Sequence, residues 1–258
     1  MRQHFPCALA SAAMYAFFLL TLAPRPATAI DVAALAWSFE GTETPDIDFQ
    51  MGPAPITATA TQMSANGQAD ATATLNGTTS SLGVAVAANS GFILQTAAAA
   101  FTESFTFTQA GDVDFTFDID GTVSGSKTDM VTLTLGASVD ISATDDLTML
   151  PIFIDSQMVS SGMTSLSVGP IPFEADVSKD VSFVLVATGS LLDTGDYDAD
   201  FLNTATLTAV SSPYLASTGS GNTYGTAVAQ IPEPSALVLT AIGLLILGWI
   251  PRRRRRLR

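Results

Sequence analysis

The chain has 258 residues, 47% apolar and only 13% charged, with 10 Lys and Arg against 24 Asp and Glu for a formal charge of -14. The charges are segregated: every arginine lies at Arg2, at Arg25 or beyond residue 251, while the stretch 30–234 holds Lys127, Lys179 and all 24 acids. That stretch has no means of neutralising a phosphate backbone, which excludes nucleic acid as a partner. With the single histidine (His4) and single cysteine (Cys7) both in the first ten residues, it also lacks the groups for Ser-His-Asp, Cys-His or imidazole-zinc chemistry.

From the N-terminus, residues 1–6 form a short n-region with Arg2, residues 7–22 an uncharged apolar run, and Ala27-Thr28-Ala29 a small-x-small site before Ile30. That order predicts a secretory signal peptide over 1–29, cleaved by signal peptidase after Ala29. Pro24 and Pro26 break helix ahead of the site and leave an extended backbone there. A retained anchor is the weaker reading, because the run is short for a membrane span and ends in A-x-A. Cys7 precedes the apolar run, which is the wrong order for a lipoprotein.

Residues 30–216 read as one all-β domain. Val113, Phe115, Phe117 and Ile119 alternate with Asp114, Thr116, Asp118 and Asp120, and the same period of two runs through 101–107, 131–135 and 205–209. Each is a strand with one apolar face inward and one hydroxyl or carboxylate face in water. Residues 181–186 are nearly all apolar and read as a central strand. Asn66-Gly67, Asn76-Gly77, Asp120-Gly121 and Thr194-Gly195 mark turns between strands. The Ala-Thr stretches 57–61 and 69–74 and the run Ala97 to Ala100 suit edge strands or linkers; strands are favoured, since Thr is β-branched. Frequent turns without βα alternation predict an antiparallel two-sheet sandwich. The Gly, Ser and Thr-rich stretch 217–230 predicts a flexible linker.

Two acidic clusters stand out. Asp112, Asp114, Asp118 and Asp120 share one parity, and Asp196, Asp198 and Asp200 follow a turn. Like charges two residues apart on one face repel unless water or a cation screens them, and oxygen-only ligands suit Ca²⁺. Neither cluster fits an EF-hand: a loop begun at Thr116 starts on the wrong residue, and one begun at Asp196 has Phe201 where Gly is required. A solvated acidic face that keeps an exported protein soluble is the plainer reading, with no cofactor required and Ca²⁺ as the alternative. Asn76-Gly77-Thr78 makes Asn76 a candidate glycosylation acceptor. Trp37, Tyr197, Tyr214 and Tyr224 are candidate sugar platforms if the fold brings them together. Carboxylate-pair hydrolysis needs only two acids suitably spaced, so 24 acids give it no specificity.

At the C-terminus, Ile231-Pro232-Glu233-Pro234 precedes the uncharged residues 235–250, then Pro251 and Arg252, Arg253, Arg254, Arg255 and Arg256. A 16-residue helix spans about 24 Å, short of a ~30 Å core, and snorkelling arginines with Trp249 cover the deficit. The arginines stop transfer and stay cytoplasmic, leaving 30–230 outside. The proline motif, apolar helix and arginine cluster over 231–258 together resemble the PEP-CTERM sorting signal recognised by exosortases. The short stretch 199–207 (ADFLNTATL) also resembles a late strand of passenger domains in such proteins. The resemblance implies exosortase as a partner, processing near Pro232, Glu233 and Pro234, and substrates of the bacterial envelope often linked to exopolysaccharide. Physically, Pro232 and Pro234 keep 231–234 extended at the membrane surface, as a transpeptidase requires.

The expectation is therefore an exported, non-catalytic surface or matrix protein, anchored transiently by its C-terminal transmembrane helix and then held at the envelope surface or released. The alternative is a lectin-like or Ca²⁺-dependent binding module delivered by the same route.

Overall fold

The computed structural model describes residues 31–40, 44–139, 152–162, 165–192 and 194–226. The expected leader with Ala27 and Ala29, and the residues from Ile231 to the arginines, lie outside them. The described residues form fifteen strands: β1 (Asp31–Phe39), β2 (Asp46–Met51), β3 (Ile56–Met63), β4 (Gly67–Leu75), β5 (Ser80–Ala88), β6 (Ile93–Phe107), β7 (Gly111–Ile119), β8 (Thr122–Gly125), β9 (Val131–Val139), β10 (Ile152–Val159), β11 (Ser165–Phe173), β12 (Ser178–Leu191), β13 (Tyr197–Val210), β14 (Leu215–Thr218) and β15 (Gly225–Thr226). There is no α-helix among them, and none long and apolar enough to cross a membrane.

Two sheets pack face to face. The first runs β10-β9-β12-β6-β1-β2 with β14 added to β6, and the second runs β11-β7-β13-β5-β4-β3 with β8 and β15 added to β13. Pairing is antiparallel except for the short β13–β15 match. The fold is thus the expected all-β, two-sheet sandwich.

Period two explains most of the burial. On β7, Val113, Phe115, Phe117 and Ile119 are buried, while Asp112 and Asp118 face solvent. β1 and β6 break that rule, because all but the last residue of β1 and nearly all of β6 are buried on both faces. Accordingly β1 and the Ala-rich first half of β6, 93–100, show no alternation, whereas 101–107 keeps the expected period of two. The run Ala97 to Ala100 therefore belongs to a central strand, paired with β1 on one side and β12 on the other.

The interior divides in two. On the β9-β12 side, facing β7 and β11, Phe183 lies 5.0 Å from Phe115, 5.2 Å from Phe117, 5.3 Å from Phe101 and 6.3 Å from Phe105, ring centre to ring centre. On the β1 side, Ala34, Ala36, Ala97 and Ala99 meet Ala58, Ala60, Ala69, Ala71 and Ala73 of β3 and β4. Each buried Phe contributes about 1.5–3 kcal/mol of transfer free energy, several times what an Ala does, so stability concentrates in the phenylalanine half.

The open sheet edges are protected. Asp46 and Asp48 of β2 accept the Thr61 and Thr59 backbone amides of edge strand β3 at 2.9 and 3.0 Å, which seals the seam between sheets. At the far side, Pro170 and Pro172 on edge strand β11 remove two backbone donors. Such devices prevent edge-to-edge pairing between molecules.

Residues 217–226 differ from the predicted linker. β14 pairs with β6, β15 pairs with β13, and Asn222 is 4% exposed. Small polar composition suggested flexibility, yet its hydroxyls and amide find buried partners, and Tyr224 packs 5.9 Å from Phe105.

Phe183→Ala should cost ~3–5 kcal/mol by opening a cavity at the meeting point of four rings. Urea denaturation should show the midpoint falling with an unchanged slope; a loss below 1 kcal/mol would contradict this account of the core.

Candidate functional site

β6 carries two polar side chains on the same parity as its inward phenylalanines, Gln95 near one end and Glu103 toward the other, both fully buried. Each organises one end of the sandwich.

At the first end, Tyr197 OH donates to Gln95 Oε1 at 2.7 Å. Gln95 Nε2 lies 2.6 Å from the Ala87 carbonyl, 2.9 Å from that of Gln68 and 3.3 Å from Ser38 Oγ. Burial pushes the Tyr197 phenol well above its ordinary range. Two glycines make the space: a Cβ on Gly189 would stand 2.5 Å from Tyr197 OH, and one on Gly67 2.4 Å from Gln95 Nε2. Over this pair opens a groove of about 380 Å³, with Met63, Asn66, Asn89, Asp196 and Asp198 among its lining residues.

At the other end, Glu103 accepts Ser80 Oγ at 3.4 Å and the Ser220 amide at 3.3 Å. The hydroxyls of Ser220 and Tyr224 also donate to it. Asn222 Nδ2 donates to Ser80 Oγ at 2.7 Å, which ties residues 220–224 to β5 and β6 together. Burial is the dominant influence on Glu103 and raises its carboxyl above the ordinary range, opposed by those hydroxyls. Tyr224 is raised in turn, first by burial and then by the Glu103 charge.

The acids singled out in the sequence are dispersed. Asp112, Asp114 and Asp118 stand on the outer side of β7; Asp112 lies opposite Pro172 of β11, and Asp118 between Ser165 of β11 and Thr206 of β13, rather than opposite other carboxylates. Asp120 follows that strand and is exposed. Asp196 accepts the Ser126 amide at 3.2 Å and hydroxyl at 2.7 Å, bonds that lower its carboxyl below the ordinary range. Asp200 accepts the Leu202 amide at 3.1 Å, and Asp198 sits on the groove. Among the described residues no group of three or more His, Cys, Asp or Glu is gathered to hold a metal. Asn76 Oδ1 accepts the Thr78 and Thr79 amides at 2.9 and 2.8 Å and so forms the turn of its own sequon.

The candidate sugar platforms do not converge. Tyr197 is buried under the groove, Tyr224 packs on Phe105, Tyr214 is exposed elsewhere, and Trp37 lies on the outer face of the first sheet. Gln95 and Glu103 were passed over by sequence reasoning, although a signal existed. Glu103 shares the parity of Phe101, Phe105 and Phe107, so period two points it inward with them.

Chemically, the groove offers the amides of Asn66, Gln68 and Asn89, the carboxylates of Asp196 and Asp198 and the hydroxyl of Ser64. Glu103 has donors around it and no approach from the groove at the opposite end. No family model matches the chain, and no curated protein does.

Because folding raises the Glu103 pKa above its ordinary value of 4.5, the native state binds this proton more tightly than the unfolded chain. Its contribution is complete below that value and is lost as pH rises through the folded pKa. Urea midpoints measured from pH 4 upward should therefore fall less steeply for Glu103→Gln than for the wild type. Parallel curves would show that this carboxyl does not set the slope.

Proposed function

We propose that the chain is an exported, non-catalytic bacterial surface or extracellular-matrix protein, processed by signal peptidase and sorted by an exosortase through a PEP-CTERM-type tail. The observation that carries this reading is the ordered tail, in which Pro232-Glu233-Pro234, an uncharged 235–250 and five consecutive arginines follow one another. Three further features support it. The body is a sandwich with protected edges, as suits a protein that must remain dispersed outside the cell. Its buried carboxylate, Glu103, has its oxygens committed to the fold. Apart from the buried Asp31, the other acids of described exposure lie wholly or partly in solvent, where they favour solubility.

The groove over Tyr197 supports a second reading, a binding module for a neutral, hydroxyl-rich ligand such as an exopolysaccharide segment. Asn66, Asn89 and Asp198 supply hydrogen-bonding groups there. On this reading Asp198→Ala weakens glycan binding, and EDTA separates a Ca²⁺-dependent mode from a direct one.

The sorting tail is tested by separating its parts. In a host with an exosortase, replacing Pro232 and Pro234 by Ala should let helix propagate into the processing strip and leave an unprocessed inner-membrane protein. Neutral residues at Arg252 to Arg256 should instead abolish stable anchoring. Release of the proline variant at the wild-type rate would favour a simple C-terminal anchor.

A further inference from the structure

At the Glu103 end of the sandwich a hydroxyl, a primary amide and a carboxylate meet in a site closed to solvent. Ser80 of β5 and Glu103 of β6 are fully buried, and Asn222, between β14 and β15, is 4% exposed. Ser80 Oγ lies 2.7 Å from Asn222 Nδ2, 2.7 Å from the Tyr224 hydroxyl and 3.4 Å from Glu103 Oε2. Asn222 Cγ is one C–N bond, about 1.33 Å, from Nδ2, so it lies within about 4.0 Å of that hydroxyl oxygen. A near-attack separation is ~3–3.5 Å, and a small rotation of the amide closes the difference. The main chain of Asn222 is pinned beside it: the N–H donates to Ser220 Oγ at 3.1 Å and the carbonyl accepts from Thr218 Oγ1 at 2.8 Å.

Two further observations concern the same atoms. Asn222 Oδ1 is buried and accepts no hydrogen bond among the described residues. That is a costly state for an amide oxygen and a milder one for the oxygen of an ester, which is the weaker acceptor. The Tyr224 hydroxyl donates to Glu103 Oε2 and lies 3.2 Å from Asn222 Nδ2, so it connects the carboxylate to the amide nitrogen. Burial also lifts the Glu103 carboxyl from its ordinary range toward that of a general base.

We propose that Ser80 and Asn222 are a self-crosslinking pair, which the folded chain joins by an ester bond between Ser80 Oγ and Asn222 Cγ with release of ammonia. Ser80 Oγ attacks Cγ while Glu103, as the carboxylate, takes the hydroxyl proton. The C–N bond of the tetrahedral adduct then breaks, and the proton passes through the Tyr224 hydroxyl to Nδ2, which leaves as ammonia. One hydroxyl and one primary amide become one ester and one ammonia; Glu103 ends as it began, and no oxidant, reductant or cofactor enters. Tyr224 is the poorer nucleophile, because its oxygen is farther from Nδ2 than that of Ser80 and an aryl ester breaks more readily. Closure to solvent shields the product from hydrolysis. The bond fastens the segment that carries β15 to β5, 142 positions earlier in the chain. Tension applied after Thr226 then loads a covalent link instead of peeling this segment from the body.

The full chain, held in detergent, reports the link through its mass. At neutral pH the intact mass should settle at the value its sequence requires less one ammonia. Lys127 and Lys179 both lie between Ser80 and Asn222, so trypsin acting on the unfolded chain should still yield one species that holds the peptides of both residues. Ser80→Ala and Asn222→Ala should each keep the full mass and give separate peptides. Glu103→Gln, which cannot take the proton, should slow the loss of ammonia by roughly a hundredfold. The wild-type digest decides the matter even where a variant fails to fold. An intact mass that stays at the sequence value, an ammonia loss that persists in Ser80→Ala, or a loss confined to unlinked peptides, as ring closure at Asn66-Gly67 or Asn76-Gly77 gives, would each overturn the proposal.

Discussion

Much of the architecture follows from burying two polar side chains on one central strand. β6 is paired along its length and covered on both faces, so neither Gln95 nor Glu103 has access to bulk water. A buried amide or carboxyl without partners costs several kcal/mol, comparable to the net stability of a domain. Each is therefore surrounded by groups recruited from distant parts of the sequence. Gln95 requires Tyr197 from β13, carbonyls from β4 and β5, and bare glycines at 67 and 189. Glu103 requires Ser80 and the segment 220–224. Satisfying one strand thus ties both sheets and the end of the described chain into a single unit.

How far this was legible depended on how local the governing physics is. The alternation at 113–119 and the apolar run 181–186 specify strands by themselves, because burial of one face or both writes directly into residue order. The alanines of β6 do not, since small residues suit an edge, a linker or a crowded centre equally. Only pairing with β1 and β12 decides. The same limit applies to residues 217–226, where Ser, Thr and Gly are read as flexible unless one knows that a buried carboxyl elsewhere needs donors. The acidic clusters were visible as spacing along a strand. What lies opposite them, Ser, Thr and Pro rather than further carboxylates, depends on register, which no local pattern reveals.

The acids also serve in unequal ways that their count conceals. Asp46 and Asp48 close a sheet edge, Asp196 caps the turn at Ser126, and Asp200 caps a backbone amide. Asp112 and Asp118 stand in solvent on the outer side of β7. The surplus of negative charge on this sandwich is partly structural hardware and partly a hydrated coat, and replacing acids wholesale would remove both together.

The anchoring of Tyr224 at Glu103 bears on reach. With the chain fixed on the body through Thr226 of β15, only four residues separate it from Ile231, so the tether spans at most ~18 Å fully extended. That bound follows from covalent geometry alone, whatever conformation the linking residues adopt. Residues inserted after Thr226 would lengthen that reach while leaving the donors gathered around Glu103 untouched.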